Sequence, residues 1–283
     1  MRLRHRRNLL QVFAGGVAFA IVTQATAAST TTIALLHLAP RPGEIEANRG
    51  ALEQAVRRAA AHGARLIVTP ELAVSGYGFR DLIGTDWIAA GQPALFAWAG
   101  ALARESKASL VLGTPEADPE DGKLFNSMVL FAPDGSVVGR HRKVNALRVG
   151  SESWSTPGDR TSVFTIEGIG RLGFFVCADM YSPRLVDETA VQGVDLLLSS
   201  AAWAPGLHGP NGEWERASAK TGRPVLVCNR TGKDVLDFDE AQSVAAVDGA
   251  IAFSHASPEP RIALVDWTTN THRLTNWRIT GAA

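Results

Sequence analysis

A glutamate, a lysine and a cysteine each stand where an apolar run of this chain stops. Glu71 closes "LIVTPE", Lys143 closes "SVVGRHRK", and Cys177 closes "FFVC" just ahead of "ADMYSPRL". In sheet-based α/β proteins the ends of buried strands are where binding groups gather. A thiol there is a candidate nucleophile, and a thiol nucleophile needs a base. The histidines are scattered, so a Cys-His pair has little support and another group must serve. Each residue also has a plainer reading. Cysteine is among the most buried residue types, and Cys228 in "PVLVCN" is read as packing. A glutamate after Thr-Pro can be a loop acid, and the basic run "GRHRK" would ordinarily be a solvated face. Cys177 is set apart by its neighbours: Ser182 is a good N-cap and Pro183 a good first helical residue. A helix starting just past the thiol is expected to favour the thiolate.

The elements that must position these residues alternate between strand and helix. "TTIALLHLA" reads as a strand, and residues 45–62 as a helix with Leu52, Val56 and Ala59 on one face and Gly63 as its stop. "ARLIVTPE" and "SLVLGTPE" are continuous apolar strands of the kind buried on both faces, separated by a helix expected over 93–107. The later half repeats the grammar. "RLGFFVCAD", "VDLLLSSAAW" and "RPVLVCNRTG" are strands, with helices expected over 183–192 and 213–221. Asp134-Gly135 and Asp248-Gly249 are hairpin signals, with Ser127 and Ser243 leading similar strands toward them. Two related halves of an α/β layered fold are expected. The run Gly168 to Gly173 matches GxGxxG but precedes a strand instead of opening a helix, so it reads as a turn. No GxSxG elbow, HExxH or phosphate loop is present, and no linker tract divides the chain.

Composition bounds the rest. At 283 residues, 46% hydrophobic and 20% charged, the chain is an ordinary globular protein of one large domain or two small ones, and its formal charge of zero calls for no nucleic-acid partner. The first 27 residues carry four arginines and no acid, then an apolar run from Leu9 to Val22, then Ala25-Thr26-Ala27. That is the pattern of a secretory signal, and the run is short for a bilayer span, so no stable membrane span is expected after cleavage. His5 to Gln11 also resembles a twin-arginine signal, without the usual Ser or Thr before the pair. Cleavage after Ala27 would leave 24 basic against 28 acidic residues, a mature domain from Ala28 with a formal charge of −4, periplasmic or secreted. The two cysteines form no disulfide framework; one bridge or none is open.

Taken together, Glu71 in "TPELAVSGYG", Lys143 in "GRHRKVNAL" and Cys177 in "FFVCADMYSPRL" resemble the nitrilase superfamily of carbon–nitrogen hydrolases. "LFNSMVLFAPDGSVVG", "NRTG" and the later "QS…VDG" hairpin fall in family order, and the resemblance runs from Ile33 to Trp267. It implies a four-layer α-β-β-α sandwich and a Glu–Lys–Cys triad. Cys177 would attack the carbonyl carbon, Glu71 would act as general base and then acid, and Lys143 with the backbone N–H of Ala178 would hold the oxyanion. Glu152 in "GSESWSTPGDR" matches the family's second glutamate, which would hold Lys143 or position water. No metal or organic cofactor is required. Ala178-Asp179 stands where nitrilases carry Trp-Glu, which favours amides or carbamoyl amides over nitriles as the small-molecule substrate. Tyr77, Trp154 and Trp203 could wall the pocket, with a core role at least as good a reading for Trp154, and Arg184 reads as a solvated helix residue. An amide-dependent acyltransferase shares the first half-reaction, and a non-catalytic exported binding protein is a further alternative that the complete polar set disfavours. Relatives in this family commonly pair through helices near the nucleophile, so a homo-oligomer is expected.

Overall fold

The structure, a computed structural model, describes residues 30–148 and 150–283. The expected signal over residues 1–27 lies outside the described residues. Among the described residues no helix is long and apolar enough to cross a membrane.

Two sheets form the body of the molecule. The first begins with β1 (Thr30–His37), crosses through α1 (Ile45–Ala61) to β2 (Ala64–Val68), and reaches β3 (Ser109–Ala117) by way of the short α2 (Arg80–Ile83) and α3 (Trp87–Ser106). β4 (Leu124–Phe131) and β5 (Val137–Arg142) follow as antiparallel neighbours. The second sheet repeats this plan. β6 (Ser162–Ile166) and β7 (Gly170–Val176) pair antiparallel, α4 (Pro183–Ala190) leads to β8 (Leu196–Ala201), and α5 (Glu213–Thr221) leads to β9 (Val225–Asn229). β10 (Ser243–Val247) and β11 (Ala250–His255) close it. β12 (Arg261–Thr268) and β13 (Arg273–Gly281) return to the first sheet beside β1. The orders are β13-β12-β1-β2-β3-β4-β5 and β11-β10-β9-β8-β7-β6. In each, three parallel strands are joined by helical crossovers, as parallel pairing demands.

Strand alternation explains the layering. Ile33, Leu35, Leu66, Val68, Val111, Met128 and Leu130 face the second sheet and share one core with Leu172, Phe174, Leu198 and Leu226. Their neighbours Ala34, Leu36, Ile67, Leu110, Leu112 and Phe131 face the other way, against Leu52, Val56, Ala99 and Leu102 of α1 and α3. On the outer face of the second sheet, Leu185 and Val186 of α4 and Trp214 and Ala217 of α5 join the core. The sandwich is therefore helix, sheet, sheet, helix, as the resemblance implied. At one edge the sheets meet closely: a Cβ on Gly139 of β5 would lie 2.2 Å from the ring of Phe164 in β6, so only glycine fits there.

Most expected elements form at their places. Both hairpins do, with Asp248 and Gly249 at φ of 50° and 82°, the left-handed pair a tight hairpin turn requires. Gly168 to Gly170 is the turn into β7. The helix expected from Pro93 instead begins at Trp87 and carries the proline inside it. Ile88 is buried against Phe79, and the Trp87 ring packs edge-on to Phe79 at 5.7 Å; that packing extends the helix past the point where proline alone would start it.

Candidate active site

The three strand ends converge. Glu71 follows β2 and is brought down onto β3 by Gly113, where any Cβ would sit 2.1 Å from the carbonyl oxygen of Pro70. The Thr69 hydroxyl accepts the N–H of Gly113 at 2.8 Å, and the N–H of Ala73 donates to the Gly113 carbonyl at 2.8 Å. Lys143, one residue past β5, donates its N–H to the Asn126 carbonyl at 2.8 Å and accepts Gly158 N–H at 2.7 Å. Cys177 ends β7 and opens a 3-10 turn, Cys177–Tyr181. Its φ is 44°, a left-handed conformation that costs a non-glycine residue on the order of 1–3 kcal/mol and persists only where surroundings enforce it.

Asp179 does the enforcing. Its carboxylate accepts the N–H groups of Val176 (2.9 Å), Val144 (2.9 Å) and Asn145 (2.7 Å), and it meets His141 Nε2 at 2.8 Å. One buried side chain thus fastens the strand carrying the thiol to the segment carrying the lysine. Asn145 Nδ2 adds a bond to the Ala178 carbonyl at 2.7 Å.

At the centre, Lys143 and both glutamates are buried, and the lysine is bonded to each carboxylate. Lys143 Nζ donates to Glu71 Oε1 and to Glu152 Oε2, each at 2.8 Å. Asn126 Nδ2 donates to Glu71 Oε1 at 2.7 Å and to Glu152 Oε1 at 2.9 Å. Glu71 Oε2 accepts the N–H of Ala202, just past β8, at 2.8 Å. Burial works against the Lys143 charge, but the carboxylates of Glu71 and Glu152 outweigh it and hold the ammonium well above its usual value. Glu152, in the 3-10 turn Gly150–Glu152, is raised by burial against the lowering pull of Lys143. Burial, then the charge of Glu71, push the Cys177 thiol well up.

That last direction corrects an expectation. Ser182 does cap α4 and Pro183 is its first residue, yet Ser182 makes no side-chain capping bond and the helix begins beyond the 3-10 turn. Burial, with the charges of Glu71 and Glu152, outweighs the opposing pull of Lys143, and the thiol is held protonated. A thiol held protonated needs a base before it can react, and Glu71 lies close enough to raise it by charge.

Tyr77 is half-buried within the charge field of Lys143, Glu71, Glu152 and Cys177. Its N–H and that of Gly78 donate to Asp234 at 2.9 Å each, and Asp234 forms a buried ion pair with Arg230 of "NRTG". Trp203 follows Ala202; its ring lies edge-on to Tyr181 at 4.7 Å and to Trp214 at 5.6 Å, and its Nε1 donates to the His208 carbonyl. Trp154 packs on Phe79 at 5.1 Å, while Arg184 is exposed and paired with Glu188. The run Arg140 to Lys143 is not a solvated face: His141 and Lys143 are buried, and Arg140 and Arg142 reach the buried Glu116. Both cysteines are free thiols. Among the described residues no group of three or more His, Cys, Asp or Glu is arranged to hold a metal.

Sequence reasoning assigned no role to Asn126, Asp179 or His141. Asn126 and Asp179 sit inside the segments that carry the resemblance, but no spacing names the groups they bond.

A sequence model described as carbon-nitrogen hydrolase matches residues 32–266. The chain belongs to the carbon-nitrogen hydrolase family. Among solved structures, an amidase of the nitrilase superfamily from Nesterenkonia AN1 is 25% identical, with a TM-score of 0.74 over 87% of this chain and 93% of that one. A glutamine-dependent NAD+ synthetase from Acinetobacter baumannii shares the fold, with a TM-score of 0.77 over 90% of this chain and 48% of that chain, at 24% identity. Curated carbon-nitrogen hydrolase relatives include a nitrilase of Pyrococcus abyssi, 29% identical over 60% of this chain and 64% of its own length. An omega-amidase of Mus musculus is 31% identical over 52% of this chain and 55% of its own. The chain spans less than two thirds of either curated relative.

Proposed function

We propose that this protein hydrolyses the carbon–nitrogen bond of a small amide or carbamoyl amide through a thioester on Cys177. The observation that carries the reading is the pairing of a thiol held protonated by burial with Glu71, a carboxylate already bonded by Lys143, Asn126 and the Ala202 N–H. Glu71 takes the thiol proton as sulfur bonds the carbonyl carbon. The same proton then goes to the departing nitrogen as the C–N bond breaks, leaving a Cys177 thioester and free ammonia or amine. Water, deprotonated by Glu71, attacks the thioester; the acid leaves and the thiol is restored. Lys143, held charged by two carboxylates, and the N–H of Ala178 stabilise the negative oxygen in both steps, a role whose loss typically costs ~10²–10³ in turnover. Glu152 fixes Lys143, and Tyr77 and Trp203 contribute to the pocket wall. An amide is favoured by the likeness to the Nesterenkonia amidase, one variant of which carries the acetamide moiety of fluoroacetamide on its active-site cysteine.

The test mixes the mature protein with short amides, carbamoyl compounds and nitriles, following intact mass and released ammonia or amine beside a Cys177→Ala control. An acyl adduct or amine release that the control lacks supports the reading, and the reactive compound names the substrate class. Added hydroxylamine separates hydrolysis from acyl transfer by its product. Identical behaviour of the two proteins across the panel overturns the reading.

A further inference from the structure

Two carboxylates share one lysine in this site, so the buried cluster of Glu71, Glu152 and Lys143 is one positive charge short of balance. Two carboxylates bonded to one lysine compete for its charge, and a proton taken up by Glu71 would disable the base. Asn126 is placed against that outcome. Its amide group bonds one oxygen of each glutamate, at 2.7 and 2.9 Å, closing a ring of four hydrogen bonds through Glu71, Lys143, Glu152 and itself. The orientation of the amide follows from the bonds. With Nδ2 toward the glutamates both of its hydrogens are donated, whereas a reversed amide would set its oxygen against two acceptor oxygens unless one of the acids carried a proton. The other end, Oδ1, is buried and accepts no bond from the described residues.

We propose that Asn126 is a positioning residue for the reaction: by bonding one oxygen of each glutamate it holds Glu71 and Glu152 around Lys143 in the geometry from which Glu71 takes the thiol proton. The inference rests on the reading of Glu71 as base. The other charged or titratable groups facing the pair are Lys143 after β5, Cys177 in the 3-10 turn, Tyr77 in the loop after Glu71, and Arg230 after β9. Of these, Lys143 bonds both carboxylates and Arg230 is already committed to Asp234. Asn126 is the neutral donor that bonds both.

The sign of the effect is fixed. A hydrogen bond donated to a carboxylate favours its charged form, so losing it raises the proton affinity of the pair. The acid limb of activity then moves to higher pH. Bonds to charged groups shift such an equilibrium by about one to two pH units.

The experiment measures kcat/KM against pH on whichever amide the wild type turns over, for wild type, Asn126→Leu and Asn126→Asp. In parallel it follows the pH dependence of Cys177 alkylation by iodoacetamide, by intact mass, with Cys177→Ala as the blank. Asn126→Leu removes both donors at similar volume. Asn126→Asp keeps the shape and adds a third acid that can donate at most one hydrogen, so it serves where the leucine variant does not fold. The expected result is an acid limb moved up by about one unit or more in both assays, with rates recovering toward wild type at high pH. A variant that loses rate equally at every pH, with its acid limb unmoved, overturns the proposal. The alkylation arm keeps the two readings separate. A wild type that hydrolyses nothing overturns the function, whereas an alkylation limb that ignores Asn126 overturns this inference alone.

Discussion

Two buried cysteines belong to the second half of the chain, and their surroundings differ. Cys228 sits within β9 in regular strand backbone, its thiol directed at the carbonyls of Val68 (3.2 Å) and Leu36 (3.4 Å). Cys177 sits where β7 ends, in a left-handed turn, inside the field of Glu71, Lys143 and Glu152. Burial pushes both thiols up, and neither is ionised at neutral pH. Ease of ionisation therefore does not distinguish them. The surroundings do: Cys228 faces two carbonyls, which accept a hydrogen bond but take no proton, and Cys177 lies within the charge field of the Glu71 carboxylate, which under the proposed reading takes its proton. On the proposed reading, a buried cysteine becomes a nucleophile here through its neighbour.

The sharpest break of that comparison is removal of the sulfur. Cys177→Ala should abolish amine release and adduct formation, a loss of ~10³-fold or more in kcat, with the fold intact by circular dichroism. Next in size is Lys143→Met, which leaves two buried carboxylates without their cation. Activity should fall ~10²–10³-fold, and stability by about 3–5 kcal/mol near pH 8, since breaking one side of a buried ion pair strands the other. The pH sign follows from burial, which already raises Glu152. Without Lys143 a carboxyl in this cluster binds its proton more tightly folded than unfolded. The variant's deficit should therefore be smallest at low pH and grow as pH rises through that raised value. Thermal unfolding of both proteins from about pH 5 to about pH 8 reads it. A deficit independent of pH would mean the carboxylates carry no uncompensated charge.

A smaller effect is expected from Asp179→Asn. The amide keeps the shape but weakens acceptance from three backbone N–H groups and His141, so the turn that strains Cys177 loosens. We expect kcat to fall about tenfold with KM nearly unchanged, because misplacement of the nucleophile is felt in the chemical step. Steady-state kinetics checks this; a rise in KM alone would assign Asp179 to substrate binding.

Asp179 also marks the limit of what the sequence discloses. The strand ends were legible because apolar runs stop abruptly at Glu71, Lys143 and Cys177, and the Asp-Gly turns because their backbone demands those residues. The layering came from the resemblance, because the continuous apolar runs of β2 and β3 show no alternation to say which face meets which layer. What stayed hidden was any feature whose meaning lies in a distant partner. β12 and β13 close the chain onto β1, more than 200 residues away, a pairing no local pattern announces. Asn126 meets Glu71 across 55 positions and Asp179 meets Val144 across 35. The thiol's protonation was misread for the same reason: the nearby helix was visible in sequence, while the burial and the carboxylates that hold the proton come from other segments.

The smallest effect completes the comparison from the other side. Cys228→Ala removes a buried sulfur from the core between the sheets, and with it two weak bonds to carbonyls. Loss of a small buried group should cost about 1 kcal/mol, visible as a drop of a few degrees in Tm. Turnover at 25 °C should stay within about twofold of wild type, since no charged group of the site bonds this thiol. The same variant reports on redox state. Cys228 lies in regular strand with its sulfur committed to Leu36 and Val68, so oxidant should not join it to Cys177, and mild oxidation should inactivate wild type and Cys228→Ala at equal rates. Protection of the variant would instead mean that the two sulfurs meet in solution, and the contrast between an inert and a reactive thiol would have to be redrawn as a redox pair.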